Sequence, residues 1–567
     1  MKARLVFIIV LVSGILHCDK KESSDTSASA ETTPPTVSIQ NLRNNSIVQT
    51  GFLVGSASDN VQVSQVEVAL DSGSYAAASG TTAWTYTLPT GANTWRDGSQ
   101  HTIKVRSRDS SNNYSSVLSI SVRKGINKDI NGDGYADVVT SANAYSTTTG
   151  RIYVFHSAGS AGVSATAASS AAQILTGEAT SNSFGISVGT GDVNGDGYAD
   201  VIVGAYGYSS YTGRVYIFHS GGSGGVSATT TTSASTIITG EATNSYFGFS
   251  VATGDVNGDG YADVVSGANV YSTSTGRVYT FHSAGTAGVS ITSAGSASNV
   301  ITGEVTNSQF GASVATGDVN GDGYADVVAG ARLYSTNTGR GYIFHSAGSS
   351  GVGITAAGSA TVIISGETTN TYFGNSIATG DINGDGYADV VVGAPNYTTN
   401  TGRIYVFQSS GGTGVTATAA SSAGTIITGE GTNNKFGNGL AVGDITGDGF
   451  ADVVSGAPLY SSSTGRAYIF HSGGGTGVGV TAASSASSII TGEGINNQLG
   501  YSVTLGDITG DGYADLIAGG YGYTSNKGRL YLFHSAGNAG ISTMGAASAS
   551  GVVTGEATNN QFSYALW

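Results

Sequence analysis

The chain runs to 567 residues, of which 88 are glycine, 5 are proline and 1 is cysteine. At about 150 residues per domain that length alone points to three or four domains, a count that internal repeats can overturn. Exchanging the 30 tyrosines of the 39% hydrophobic class for the glycines gives about 49% apolar residues, a globular value; without a Gly-X-Y period, collagen is excluded as well as disorder. A net charge of −15, from 37 acidic against 22 basic residues, argues against nucleic acid as a partner. One cysteine excludes a disulfide framework and a thiolate metal cluster.

Lys2 and Arg4 precede the apolar run LVFIIVLVSGIL (5–16), too short to span a bilayer comfortably and charged like an export signal. The run stops at Cys18, with Leu16 and His17 before it. An export leader ending at the lone cysteine resembles a bacterial lipoprotein signal. That resemblance implies removal of residues 1–17, a lipidated Cys18 holding the protein to a membrane, and a place on the cell envelope at the outer membrane or cell surface. An ordinary cleaved signal with a chance cysteine is the alternative. Residues 18–34, rich in Ser, Thr, Lys and Glu, read as a flexible polar tether.

Residues 35–124 alternate apolar and polar positions in short stretches such as VSQVEVAL (63–70) and HTIKVRSR (101–108), parted by turn-rich segments. About ninety such residues fit one β-sandwich, and the pattern resembles bacterial immunoglobulin-like domains, which implies a spacer or adhesive module. Trp84 is read as core, with a ligand platform as the alternative.

From residue 125 a single unit recurs. The nonapeptide D-x-[NT]-G-D-G-[YF]-A-D begins at Asp129, Asp192, Asp255, Asp318, Asp381, Asp444 and Asp507, an interval of 63 residues each time. Four short apolar or alternating runs per unit predict four antiparallel strands, with the acidic loop joining the first to the second. Seven such sheets around an axis make an all-β, seven-bladed β-propeller over 125–567. Phe-Gly, the acidic loop and then Gly-Ala-Pro, as in GDINGDGYADVVVGAP (380–395), resemble the FG-GAP repeat of integrin α-subunit propellers and their bacterial relatives. The proline appears only at Pro395 and Pro458, the sixth Phe is Leu499, and the last pair is Phe562-Ser563. No Phe-Gly strand precedes Asp129, so residues 562–567 are expected to complete the first blade.

Carboxylates at alternate positions of a tight, glycine-hinged loop can converge on one ion. The expected ligands are the seven opening aspartates; third-position Asn131, Asn194, Asn257, Asn320, Asn383, Thr446 and Thr509; fifth-position Asp133, Asp196, Asp259, Asp322, Asp385, Asp448 and Asp511; the backbone carbonyls of Tyr135, Tyr198, Tyr261, Tyr324, Tyr387, Phe450 and Tyr513; and ninth-position Asp137, Asp200, Asp263, Asp326, Asp389, Asp452 and Asp515. An all-oxygen set favours calcium, up to seven ions in a structural role. Metal-free Asp/Gly turns are one alternative; the loop of a calcium-binding helix pair is another, but here β-branched residues follow it. Thr446 and Thr509 are expected to make weaker sites, a hydroxyl being a poorer ligand than an amide carbonyl.

In the propeller every aspartate lies in an acidic loop and every glutamate is one of seven repeated Gly-Glu pairs, so no singular carboxylate is left for acid–base catalysis. The repeated arginines that open each third strand are expected to pair with the glutamates that follow the fourth, one pair per blade, exposed and worth about 0–1 kcal/mol each. The repeated histidines, with Gln408 in the fifth copy, read as structural. Three cations break the sevenfold pattern, Arg332, Lys435 and Lys527, all in loops on the face opposite the acidic loops. With a fixed tyrosine per blade (Tyr145 to Tyr523) they mark a candidate face for a protein or glycan ligand; tyrosines that only pack blade on blade are the alternative.

The sequence thus describes a calcium-stabilised, lipid-anchored propeller, monomeric and not an enzyme, serving adhesion or ligand recognition. A cell-envelope scaffold and a polysaccharide or phospholipid hydrolase are the other readings. Loss of Lys2 and Arg4 with the leader takes the charge from −15 to −17, and seven divalent cations would leave about −3.

Overall fold

A computed structural model of the protein describes residues 31–39, 42, 47–48, 52–89, 100–124 and 128–567; the leader, Cys18 and the tether up to residue 30 lie outside these. Among the described residues the strands form nine sheets. Two belong to the N-terminal module. One carries Thr36–Ile39, Phe52–Ser58, Ala83–Thr87 and Ser79–Gly80, the other Ile47–Val48, Leu118–Lys124, Gln100–Asp109, Val63–Leu70 and Ala76–Ala77. The period-two burial of Gln100–Asp109 turns His101, Ile103 and Val105 inward, where Ile103 and Val105 meet Leu53, Val66 and Val68 around Trp84, only 1% exposed. Trp84 is therefore core.

The other seven sheets are the propeller blades. In the third, Phe247–Gly254 is innermost, followed outward by Asp263–Ala268, Arg277–Phe281 and Asn299–Thr302. Each second strand is buried along its whole length, because a neighbouring blade covers either face; the sequence answers with runs such as DVVVGA rather than with alternation. Between the first two blades Ile130, Val139, Ile152 and Val154 meet Phe184, Val188, Tyr216 and Phe218.

The Phe-Gly pair works across that boundary. Phe184 forms a parallel bridge to Gly150 of the preceding blade and sets its ring edge-on to Tyr216, at 5.3 Å and 82°, and to Phe218, at 6.4 Å and 87°. Gly150 sits at φ 85°, and a Cβ there would collide with the Phe184 backbone. Four inner strands begin after this pair and three at its Phe. Outer edges are covered as well: Thr239, Thr302, Ser365 and Thr428 each bridge in parallel to the next blade's loop, and Ile490 and Thr491 pair with Met544 and Gly545.

The loop between second and third strands has an unusual backbone. Ser146, Thr147 and Thr148 stand at φ 49°, 58° and 61°, and the same three left-handed residues recur in every blade without a glycine. Such a conformation costs about 1–2 kcal/mol per residue. Hydrogen bonds to the next blade offset it, since the carbonyls of Thr147, Thr148 and Thr149 accept the N–H groups of Ser181, Ser183 and Phe184.

The first blade takes Val138–Ala142, Arg151–Phe155 and Gln173–Thr176 from its own repeat and its inner strand from Phe562–Leu566. Ala142 faces Phe562 and Thr140 faces Leu566, while Val139 and Trp567 exchange both backbone hydrogen bonds at 3.3 and 3.1 Å. Phe562 is fully buried with its ring 5.2 Å from that of Tyr153. Phe562→Ala is expected to cost about 3–5 kcal/mol, measured by denaturant unfolding, and removal of 562–567 more than that; unchanged unfolding of both would show that closure carries no stability.

Candidate functional site

In the first acidic loop Asp129 Oδ1 accepts the N–H groups of Gly132 and Asp133 at 2.6 and 3.1 Å, and Oδ2 that of Gly134 at 2.9 Å. Asp137 Oδ2 accepts Ile130 N–H and Oδ1 accepts Ser157 N–H, both at 2.9 Å, tying the loop to the far end of the third strand. The Asn131 amide donates to Asp133 Oδ2 at 2.9 Å. Gly132 and Gly134, at φ 74° and 94°, supply the turn. All seven loops repeat this frame, and the seven ninth-position aspartates are 0–2% exposed. The two threonine loops differ. Thr446 Oγ1 is buried without a hydrogen-bond partner, and Thr509 Oγ1 donates to Asp515 Oδ2 at 3.2 Å instead of reaching the fifth position.

The loops also form a chain of their own. Ala136 N–H donates to Asp507 O, Ala199 N–H to Asp129 O, and so on around the ring at 2.8–2.9 Å. The Tyr198 ring lies on Gly132 of the preceding loop, where a Cβ would strike it. The seventh position thus has a side-chain role that its expected carbonyl role did not foretell.

Burial and neighbouring carboxylates hold these aspartates high: Asp137 at about 8, Asp192, Asp255, Asp318, Asp389, Asp452 and Asp515 at about 7, and Asp507 at about 6. Among the described residues no three carboxylate or imidazole side chains are gathered closely enough to hold an ion as they stand. The donors are nonetheless all oxygen, three carboxylates to a loop, so the residue set fits a hard cation such as calcium chemically.

The repeated arginines correct the sequence expectation. Each pairs with the glutamate of the preceding blade: Arg214 with Glu178, Arg340 with Glu304 and, across the closure, Arg151 with Glu556, at 2.7–2.9 Å in all seven cases. The inter-blade bridge of Phe-Gly brings the end of one outer strand to the next blade's third strand, which strand pairing alone did not reveal. The side chains are 14–24% exposed, so these are not open surface pairs. The fixed tyrosines lie over the same guanidinium groups at 3.6–4.0 Å, which places them in the blade contact rather than on a free face. The histidines are structural: the His156 ring packs on Gly225 of the next blade, and burial lowers its pKa.

The three non-repeating cations separate. Lys435 and Lys527 are partly exposed on the loop face opposite the acidic loops. Arg332 is partly buried: its Nε donates to Gln309 Oε1 at 2.9 Å and its Nη1 to Asn375 Oδ1 at 3.3 Å. Beside it stand Phe249, 5.7 Å from its guanidinium, and Tyr372, Tyr501 and Tyr564, which with Tyr206, Tyr246 and Tyr521 form a linked aromatic group that sequence reading missed. Its signal was available, because these tyrosines break the repeat as the cations do. Lys128, a fourth non-repeating cation, was also passed over; it reaches Leu505 O and Thr504 Oγ1, both at 2.6 Å, and lies 5.7 Å from the Trp567 ring. Lys128 and Trp567 line an axial cavity of about 460 Å³ between the inner strands.

A seven-bladed propeller with an acidic hairpin loop in each blade defines the class of protein. The FG-GAP repeat family matches residues 129–155, 184–218, 247–281, 310–344, 373–407, 436–470 and 499–533, and the bacterial Ig domain family matches 35–105. The chain is an integrin-α-like FG-GAP propeller protein with an N-terminal immunoglobulin-like domain. It is similar to Integrin alpha-7 of Rattus norvegicus, 34% identical over 165 residues, 28% of this chain and 13% of that protein. It is also similar to Integrin alpha-V of Gallus gallus, 31% over 221 residues (38% and 20%), and to Integrin alpha-5 of Xenopus laevis, 31% over 247 residues (41% and 22%). The chain thus spans less than a quarter of the length of these relatives.

The inter-blade ion pairs yield a prediction. A double-mutant cycle on Arg340→Met and Glu304→Gln is expected to give a coupling of about 1–2 kcal/mol in chemical unfolding, above the range of open surface pairs; a coupling near zero would make the pair ornamental.

Proposed function

We propose that this protein is a calcium-stabilised, surface-anchored propeller that binds a protein or glycan ligand on the face opposite its acidic loops, and that it acts by recognition rather than catalysis. The observation that carries this is the division between the two faces. One repeats the same acidic loop seven times, while the other gathers most of the residues that do not repeat. Adhesion receptors among the similar proteins support the reading by analogy, and the propeller's lack of a singular carboxylate weighs against a hydrolase. The leader and Cys18 support a lipid anchor to the cell envelope, and a monomer suffices for the reading because the ring closes on itself.

Calcium would be held by the carboxylates of positions one, five and nine, the side chain of position three and the carbonyl of position seven. When bound it would supply positive charge to loops that carry 21 of the 37 acidic residues. Extracellular sites of about 10⁻⁴–10⁻³ M affinity would each contribute on the order of 1 kcal/mol at millimolar calcium. Millimolar calcium is therefore expected to raise the melting temperature and a chelator to lower it, with Thr446→Asn increasing calcium affinity at the sixth loop by calorimetry. Melting that ignores calcium would remove the metal from the account.

The ligand is sought by exposing the purified chain to an array of glycans and extracellular-matrix proteins with and without chelator. Lys435→Glu with Lys527→Glu is expected to weaken the captured ligand several-fold through the lost charge contacts. No capture by the folded, calcium-loaded chain would favour a scaffold without an external ligand.

A further inference from the structure

We propose that the axial mouth on the face opposite the acidic loops is a binding site for an acidic saccharide, whose carboxylate pairs with Arg332 and whose ring stacks on the tyrosines around it. This deepens the ligand-binding reading above and rests on it.

The propeller leaves Arg332 without a carboxylate of its own. Each of its seven glutamates is taken by a repeated arginine, and each of its aspartates belongs to an acidic loop at the other end of the blades. The hydrogen-bond partners of Arg332 are the neutral amides of Gln309 and Asn375, at Nε and Nη1, and its guanidinium lies 5.7 Å from the Phe249 ring; among the described residues its Nη2 end makes no hydrogen bond. Burial disfavours its charge, while the neighbouring Tyr501, Tyr372 and Tyr564 favour it. A guanidinium held this way gains most from a planar anion that can meet two of its N–H groups at once.

The surroundings say what carries the anion. On one side the Tyr206 ring stacks on Tyr246 at 4.9 Å and 25°, and Tyr246 on Tyr211 at 5.0 Å and 30°. On the other, Tyr501 packs against Tyr521 at 4.7 Å and Tyr564 at 4.9 Å, its hydroxyl donating to that of Tyr564 at 2.8 Å. Tyr211 is 41% exposed, so the stack presents a free ring. Aromatic faces next to hydroxyls and amides, groups that both donate and accept, suit a sugar ring with its apolar face and its rim of hydroxyls. A single cation serves one carboxylate per bound unit; a polyacidic peptide would call for several.

The fold does not demand arginine at this position. Its equivalents in the other blades are Asn143, Tyr206, Asn269, Pro395, Pro458 and Tyr521, and those of Tyr211 include Thr148, Ser274 and Ser463. Arg332→Asn and Tyr211→Ser therefore place at each site a residue that the same backbone already accepts, and equal melting temperatures would verify the fold.

The test titrates the full chain, calcium-loaded, with uronate-containing and sialylated oligosaccharides, with the carboxyl-reduced form of each, and with oligoglutamate. Binding of an acidic saccharide is expected, weakened about 10- to 100-fold by carboxyl reduction or by Arg332→Asn, and about 2- to 10-fold by Tyr211→Ser. Equal binding of acidic and reduced forms, or an affinity indifferent to Arg332→Asn, overturns the proposal. So does tighter binding of oligoglutamate, which would make the site one for acidic peptides. A protein ligand captured on this face regardless of Arg332→Asn overturns it while leaving the recognition reading intact; no ligand of any class on the face overturns both.

Discussion

No blade of this propeller is complete without its neighbour, and that constraint organises everything else. The Phe of each Phe-Gly fills the core beneath its own third strand while its backbone bridges the blade before it. The Arg of each third strand finds its Glu one blade back, the alanine of each acidic loop donates to the preceding loop, and most outer strands are covered by the following blade. Stability therefore resides in interfaces more than in units, as in other repeat arrays. A linear array of seven would have six such interfaces, with one face of each terminal blade exposed. Closing the ring through Phe562–Leu566 supplies the seventh, and the Arg151–Glu556 pair and the Ala167–Thr554 bridge show that it is built like the rest.

The same interdependence accounts for the most strained part of the backbone. Three successive left-handed residues without glycine would be a poor choice for an isolated turn. Here the turn aims its carbonyls at the N–H groups of the next crossing loop and brings a tyrosine ring over the arginine that spans the opposite boundary, to the blade before. Ser, Thr and Asn fill these positions in all blades except at Tyr211, and the threonine that follows can bond the turn locally, as Thr149 Oγ1 does to Ser146 O at 2.7 Å.

The fold was legible in the sequence because it is written seven times. A period of 63 residues and a β-branched run after each acidic loop leave little choice of architecture, and the missing first inner strand is matched by the surplus Phe562-Ser563 segment. Relations between blades were far less legible. Periodicity reports which residues are equivalent, not which copy they touch, so the Arg–Glu pair was placed within a blade although it crosses to the next. For the same reason the fixed tyrosines stood open between a ligand face and the blade contact, where their rings cover arginines. The ligands expected in the acidic loops could be named from the motif. Their engagement by backbone N–H groups could not, since it depends on the path of the turn.

Symmetry also clarifies where recognition can arise in such a ring. A residue repeated seven times around an axis serves the ring, and its charge is matched by an equally repeated partner. Only departures from the repeat can create a site with direction. The departures here are few and they converge: Arg332 and Tyr206 occupy the same position of two blades, Phe249, Asn375, Tyr501 and Tyr564 the same position of four others, and both positions meet at the axial mouth. Residues more than 300 apart in the chain thus become neighbours through the rotation that the repeat imposes. The acidic loops at the other end show no comparable divergence beyond Thr446, Thr509 and Phe450. The uniform face and the divergent face are consequences of one architecture, in which both carry repeated contacts between blades and the second adds, nearer the axis, positions that the repeat leaves free to vary.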